Sequence, residues 1–416
     1  MNNKYKVIIL TADAGFGHRS AANAVEAALL ESYDDQCTVE IINPLEDKRA
    51  PFFLRESQFD YDKIVRSMPE LYRIGFDASD TTVPSAIFER ALTVLLYEVM
   101  HDIIQKHAPD VILNTFPLYQ SATNAVFIIS KKRIPMLTVI TDLSTIHKIW
   151  FYDNVDSVLV PNSKVRELAL ENNIPMNKIF ITGIPVHPNL SKQNQTKNEI
   201  RSNLGWKKDI KTILAVGSRR VDNLMESINM VNHFGGEIQL AVVAGKDKDL
   251  YLQLQNIDWH IPHHIYEYSS EMPQLMMASD ILVCKAGGLI VTEALACGLP
   301  MILIDVIKGQ ETGNAQFVIE NQAGELATNP IIFLEVLSHW LSNNEKILKE
   351  RADHAHLAGK PFSAFHVADL LIQAAQEGSK TKDSSSRRNI LIELLTKHQV
   401  QWQENIFSIR KKTDDH

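Results

Sequence analysis

Short apolar runs, each ending in a glycine or polar loop that leads into a helical stretch, recur along this chain and restrict it to folds built on parallel sheets. Val7-Ile8-Ile9-Leu10 runs into Thr11-Ala12-Asp13-Ala14-Gly15-Phe16-Gly17-His18, after which Ala21 to Leu30 is alanine-rich and helical in propensity. Thr38 to Ile42 predicts a strand and Ile87 to Lys106 a long helix. Asp110-Val111-Ile112-Leu113 and Pro135 to Ile140 predict two further strands. A second series opens at Lys211-Thr212-Ile213-Leu214-Ala215-Val216-Gly217-Ser218 and continues with strands at Gln239 to Ala244, Ile281 to Cys284 and Pro300 to Ile304. The fold class is α/β, with two doubly wound parallel sheets.

Between the two series lie Gly183-Ile184-Pro185-Val186-His187-Pro188 and the polar stretch Ser191 to Lys197, which suit a linker. A chain of 416 residues also exceeds what one hydrophobic core usually organises. The expected division is an N-terminal unit over 1–187, a linker over 188–200, a C-terminal unit over 201–377, and a polar connector with an amphipathic helix over 378–416. In that last segment Ile390, Leu394, Trp402, Ile406 and Ile409 are helically spaced and Arg410-Lys411-Lys412 follows. It suits either an interfacial helix for anionic lipid or a helix packed on the body. Open α/β sheets bind ligands beyond the carboxyl ends of their strands, so two of them joined by a hinge present a common cleft.

Composition narrows the partners. With 42 basic and 50 acidic residues the formal charge is −8, which offers nucleic acid no general attraction, and no nucleic-acid module is visible. Cys37, Cys284 and Cys297 form neither a disulfide framework nor a metal-ligand spacing, so a reducing, cytoplasmic setting and no metal site are expected. No signal-peptide core is completed before Asp13, and no apolar run approaches the roughly 18–20 residues of a spanning helix. Membrane contact is expected to be peripheral.

Five clusters carry chemistry. Gly15-Phe16-Gly17-His18-Arg19-Ser20 joins a strand to a helix; glycines there let a ligand approach the backbone and the helix start offers free amides. Ser20 replaces the third glycine of a dinucleotide fingerprint. His18 is either a proton acceptor for a hydroxyl nucleophile or a helix cap. Lys285-Ala286-Gly287-Gly288-Leu289-Ile290-Val291-Thr292-Glu293 follows a strand and suits a diphosphate at the helix start. Glu293, about one turn in, matches either two ribose hydroxyls or simple solvation. Lys308 to Ala315 is a polar loop for sugar hydroxyls or a surface turn. Asn114-Thr115-Phe116-Pro117 and Thr141 to His147 flank the cleft, with Asp142 and His147 as candidates to orient the acceptor or the base, and the aspartate equally a helix cap.

Taken together, Gly15 to His18, Pro109 to Pro117, Thr141-Asp142 to His147 and Trp150, Thr182 to Val186, Lys285 to Ala294 and Gly309 to Ala315 resemble the monogalactosyldiacylglycerol synthases and the bacterial processive diacylglycerol glucosyltransferases. These are relatives of the lipid-linked N-acetylglucosaminyltransferase of peptidoglycan synthesis. The resemblance implies a GT-B fold, two Rossmann-like domains facing a cleft, and inverting transfer of glucose or galactose from a UDP-hexose to diacylglycerol, without a cofactor or metal. It implies that Lys285, Gly287, Gly288, Thr292 and Glu293 hold the nucleotide and that Gln310, Glu311 and Asn314 contact the sugar, with Gly217, Ser218 and Arg219 as further candidates at the UDP-sugar. His18 matches the family's acceptor-activating histidine and Asp13 an acid of its galactosyl branch, with Gly15, Gly17 and His147 on the acceptor side. One segment departs from the pattern: Val216-Gly217-Ser218-Arg219-Arg220 replaces a glycine-rich loop, leaving two arginines to meet phosphate.

The mechanism so implied is a single displacement in which His18, with Asp13 or Asp142, takes the hydroxyl proton while the glycine-loop amides stabilise the departing diphosphate. A lipid acceptor implies work at the inner face of the cell membrane. Pro51-Phe52-Phe53-Leu54-Arg55, Ile64-Val65-Arg66 and Leu71-Tyr72-Arg73 suit contact with an anionic surface or an ordinary buried helical excursion. Two other readings use the same cleft: a UDP-sugar 2-epimerase, and a non-catalytic UDP-sugar or lipid-surface binding protein.

Overall fold

A computed structural model describes residues 4–14, 17–52, 54–55, 82–192, 195–217, 221, 223–245, 247–307, 311–378 and 380–381. The first half contains strands β1 (Tyr5–Leu10), β2 (Cys37–Ile42), β3 (Val111–Asn114), β4 (Lys132–Arg133), β5 (Met136–Val139), β6 (Ser157–Val160) and β7 (Ile179–Ile181). The second contains β8 (Lys211–Val216), β9 (Ile238–Val243), β10 (His263–Tyr266), β11 (Ile281–Lys285), β12 (Met301–Asp305) and β13 (Gly324–Leu326). Among the helices, α1 (Gly17–Tyr33), α2 (Thr82–His107), α3 (Gln120–Ser130), α4 (Lys197–Asn203), α5 (Gly288–Ala296), α6 (Thr312–Glu320) and α7 (Ser363–Glu377) matter most for the site.

Two six-stranded sheets result, ordered β2-β1-β3-β5-β6-β7 and β10-β9-β8-β11-β12-β13, and every pairing within them is parallel. Side chains alternate between the faces, as a period of two requires. Ile8, Leu10, Ile112 and Met136 enter one core, Val7, Ile9, Val111 and Leu137 another. The second sheet divides in the same way, with Leu214, Leu282 and Met301 against Ile213, Ile281 and Ile302. Each sheet is therefore dry on both sides, and its order reverses once, at β1/β3 and at β8/β11. No helix among the described residues is long and apolar enough to cross a membrane.

The expected division of the chain needs two corrections. Helix α7, placed by contiguity in the C-terminal unit, packs on the first sheet instead. Its stripe of Ala364, Val367, Ala368, Leu371, Ile372 and Ala375 shares a core with Val7, Ile9, Leu113 and Val139. A 3.6-residue apolar stripe needs a sheet face to cover, and that face of the first sheet supplies it. The linker also ends earlier than 200. Thr196 and Glu199 form a capping box that starts α4 at Lys197, and Lys197 and Arg201 both pair with Asp280 of the second half. Where the chain crosses between halves, the Val186 N–H donates to Ser363 Oγ at 3.1 Å. Ile372→Val is expected to lower stability by about 1 kcal/mol. Because α7 belongs to the first core, hydrogen exchange should quicken in β1 and α1 rather than in β8 to β13.

The basic-aromatic stretch divides as well. Phe52 is 70% exposed, but Leu54 is buried in the first core with Leu45 and Ala50, so it is not available for insertion into a bilayer. Phe53, 64–66 and 71–73 lie outside the described residues, as does the tail 382–416.

Candidate active site

The order reversals put two loop sets at the carboxyl ends of neighbouring strands, where α/β sheets bind ligands. In the first half these are the loop from Thr11 to α1 and the segment after β3. His18, in the first turn of α1, spans them. Its Nδ1 lies 2.8 Å from the Thr115 carbonyl oxygen and 3.0 Å from Thr141 Oγ1. A carbonyl oxygen only accepts, so the ring proton resides on Nδ1 and Nε2 keeps its lone pair. The ring packs edge-on to Phe116 at 5.0 Å and tilted over Trp150 at 6.0 Å. Burial lowers its pKa from the usual imidazole value to about 4, with the Thr115 carbonyl opposing the shift. The imidazole is thus neutral at physiological pH, further from neutral titration than the sequence suggests.

Asp13 has a different task. Arg19 Nε and Nη2 donate to its two oxygens at 2.8 and 3.1 Å, and Asn43 Nδ2 donates at 3.1 Å. The Arg19 guanidinium holds this carboxyl below the usual range, so it is a poor proton acceptor and an anchor for the first turn of α1. His147 is a cap: its Nδ1 accepts from the Ile149 N–H at 3.2 Å and opens a 3-10 turn, Lys148–Trp150, which delivers Trp150 to His18.

In the second half α5 begins at Gly288 directly after β11, with Gly287 as its N-cap. The first-turn amides of a helix have no intrahelical acceptor, and the dipole adds partial positive charge there. Lys285, at the end of β11, is paired with Glu311, which is itself buried and accepts from the Ile307 N–H at 3.0 Å through Oε2. Glu293 is partly buried, and that burial raises its carboxyl to about 7. Thr292, expected at the nucleotide, donates instead to the Gly288 carbonyl at 2.7 Å, the back-bond that a helical threonine makes readily. Gly217 stands at the end of β8, where a β-carbon would press on the tips of Leu224 and Leu250. Gly15, Ser218, Arg219 and Gln310 lie outside the described residues.

The two halves meet through the segment after β5. The Leu143 N–H donates to Asn314 Oδ1 at 3.3 Å, while Asn314 Nδ2 donates to the Ala286 carbonyl at 3.1 Å. Asn314, expected at the sugar, is buried and ties the lobes together. A β-carbon on Gly288 would lie 3.3 Å from the Thr141 carbonyl and 4.0 Å from Asp142 Oδ1. Thr141 therefore touches both the histidine of one lobe and the helix start of the other. That role escaped the sequence, although Thr141 stands beside the aspartate that drew attention to the segment. Asp142, sought beside the base, has a carboxyl that reaches towards α5.

Comparison with known proteins follows the same division. Residues 18–186 match the family described as monogalactosyldiacylglycerol (MGDG) synthase, and residues 212–364 match the glycosyltransferase family 28 C-terminal domain. A probable chloroplastic monogalactosyldiacylglycerol synthase of Nicotiana tabacum is 30% identical over 374 residues, 87% of this chain and 69% of that protein. The chain belongs to the monogalactosyldiacylglycerol synthase family. It is a glycosyltransferase of the glycolipid-synthase kind. A second member of the family, monogalactosyldiacylglycerol synthase 3 of Arabidopsis thaliana, is 29% identical, covering 89% of this chain and 82% of its own length. Among solved structures, MurG of Acinetobacter baumannii superposes with a TM-score of 0.59 at 14% identity, over 89% of this chain and all of that one. The UDP-GlcNAc 2-epimerase of Neisseria meningitidis, bound to UDP-GlcNAc, gives 0.56 at 14%, over 90% of this chain and all of that one. The fold of this family member is accordingly GT-B.

Proposed function

We propose that this family member moves a hexose from a UDP-hexose to the free hydroxyl of diacylglycerol, with inversion at the anomeric carbon. The observation that carries this reading is the double contact of Thr141, 3.0 Å from His18 and 3.3 Å from the β-carbon position of Gly288. It brings a neutral imidazole and an anion-binding helix start to opposite sides of one residue. A hydroxyl between them loses its proton to His18 Nε2 as its oxygen attacks the anomeric carbon, and the diphosphate departs towards the α5 amides. Glu293 is the proposed ribose ligand, and Lys285, once released from Glu311, the proposed phosphate ligand. Freed in the same step, Glu311 would turn to the sugar.

The decisive assay supplies diacylglycerol vesicles with UDP-galactose or UDP-glucose and weighs the lipid by mass spectrometry. A hexosyl diacylglycerol is expected. A new UDP-sugar isomer formed without lipid would favour an epimerase, and UDP bound without any turnover would favour a binding protein. The epimerase reading draws support from the shared fold alone.

A bilayer acceptor further places the enzyme at the inner face of the cell membrane in this proposal, with exposed Phe52 as an inserting side chain. Phe52→Asp should weaken binding to anionic vesicles, read by co-sedimentation, about tenfold to a hundredfold, in line with the loss of one buried aromatic ring. Undiminished binding would remove Phe52 from the membrane face.

A further inference from the structure

Thr141 and Asp142 are consecutive, and their side chains reach towards different lobes. The Thr141 hydroxyl reaches the His18 ring, whereas Asp142 Oδ1 lies 4.0 Å from where a β-carbon on Gly288 would stand. Among the described residues no hydrogen bond reaches the Asp142 carboxyl. The charged group acting on it is Glu311, itself paired with Lys285 on the later lobe, while the neutral His18 ring stands behind Thr141. Burial, and then the nearby Glu311 charge, raise Asp142 to about 7.

An ionised carboxylate in this position would oppose the anion that the α5 amides attract, since like charges so close disfavour one another. A protonated carboxyl does the opposite and donates to it. We propose that Asp142 is an acid in the reaction, giving its proton to the diphosphate oxygen that leaves the sugar. The proposal rests on the UDP-hexose reading above and adds a proton path to it.

The step balances. The acceptor O–H bond breaks and its proton passes to His18 Nε2. The acceptor oxygen forms the new bond to the anomeric carbon as the bond from that carbon to the β-phosphate oxygen breaks. The Asp142 O–H proton moves to that phosphate oxygen, leaving UDP singly protonated on its terminal phosphate, Asp142 as carboxylate and His18 as imidazolium. One proton lost by His18 to solvent and one regained by Asp142 restore the enzyme. Carboxylate repulsion then also helps to expel UDP. Thr141 and Asp142 would thus set base and acid on neighbouring residues, so that one lobe closure positions both.

The test compares the full-length protein with Asp142→Asn and with His18→Ala in the vesicle assay between about pH 5.5 and 9. Turnover of the unaltered enzyme should fall as pH rises through about 7 and above, as Asp142 loses its proton. Asp142→Asn keeps the shape and an N–H donor but has no proton to release. Its turnover should fall about a hundredfold and lose the alkaline decline, while UDP affinity at pH 6 stays within about threefold by calorimetry. That affinity also shows that the variant is folded. An Asp142→Asn enzyme that keeps the alkaline decline, or whose turnover falls only in step with UDP affinity, overturns the proposal. If the unaltered enzyme transfers hexose and His18→Ala does not, the function stands whatever Asp142→Asn does. If the unaltered enzyme transfers none, the function reading itself fails.

Discussion

His18→Ala is expected to lower turnover by about 10²–10⁴-fold, the usual worth of a positioned base, with UDP affinity changed by less than about twofold. The two readouts separate because His18 belongs to the β1/β3 switch point, whereas the groups suited to UDP belong to β8 and β11. The Thr115 carbonyl at 2.8 Å fixes the tautomer, so removing the ring removes the lone pair so prepared and leaves the start of α5 untouched. The pH dependence has a definite sign. A base must be unprotonated to act, and burial lowers His18 to about 4. Its protonation therefore costs activity only as pH falls towards about 4, and between pH 7 and 5.5 the rate should not decline on its account. A decline centred near 6.5 would mean that the ring is solvated in the working enzyme. Unchanged turnover in His18→Ala would remove the residue from the mechanism altogether.

Much of this was legible because strand–loop–helix units announce themselves locally. Val7 to Leu10 and Ile281 to Cys284 are short apolar runs, and the loops after them carry the polar residues that no core would accept. What was legible was where each loop stands along the chain; what its side chains touch was not. Asp13, Thr292 and Asn314 each looked free for substrate, yet each has partners chosen by three-dimensional packing. Arg19 lies six residues beyond Asp13 and inside α1, the Gly288 carbonyl one turn before Thr292, and Leu143 of the other lobe beside Asn314. The second lies within one turn in sequence, so helical spacing offers a signal for it, whereas the first spans the start of α1 and has no such spacing. The third pairs residues 171 apart and no local pattern discloses it. Helix α7 illustrates the same limit: its apolar stripe is plain in the sequence, but which of two equally apolar sheets it covers depends on the chain crossing back at Ser363. His147 reads along the chain as an acceptor-side group, and its bond from the Ile149 amide makes it a cap.

Gly313→Ala should separate stability from activity more sharply than any substitution in the base. Gly313 lies in the first turn of α6, and its φ is not in the left-handed region, so its own backbone tolerates alanine. In an isolated helix the change would stabilise by up to about 1 kcal/mol. The obstacle lies on the other lobe. A β-carbon at 313 would stand 2.6 Å from the Thr145 backbone nitrogen, 3.0 Å from Ser144 Cβ and against Thr145 Oγ1. A side chain can rotate aside, but a backbone nitrogen moves only with its segment, and that segment includes Thr141 and Asp142. Relief requires the lobes to part by roughly 1 Å. A misplacement of that size is worth about a hundredfold in rate when the reacting groups come from opposite sides. The expected result is a turnover loss of at least about a hundredfold with a melting temperature no lower than that of the unaltered enzyme. Small-angle scattering should show a wider cleft in the presence of UDP. Wild-type turnover in Gly313→Ala would mean that the contact between the 141–145 segment and α6 is not part of the working closed state. The double contact of Thr141 would then lose its bearing on catalysis.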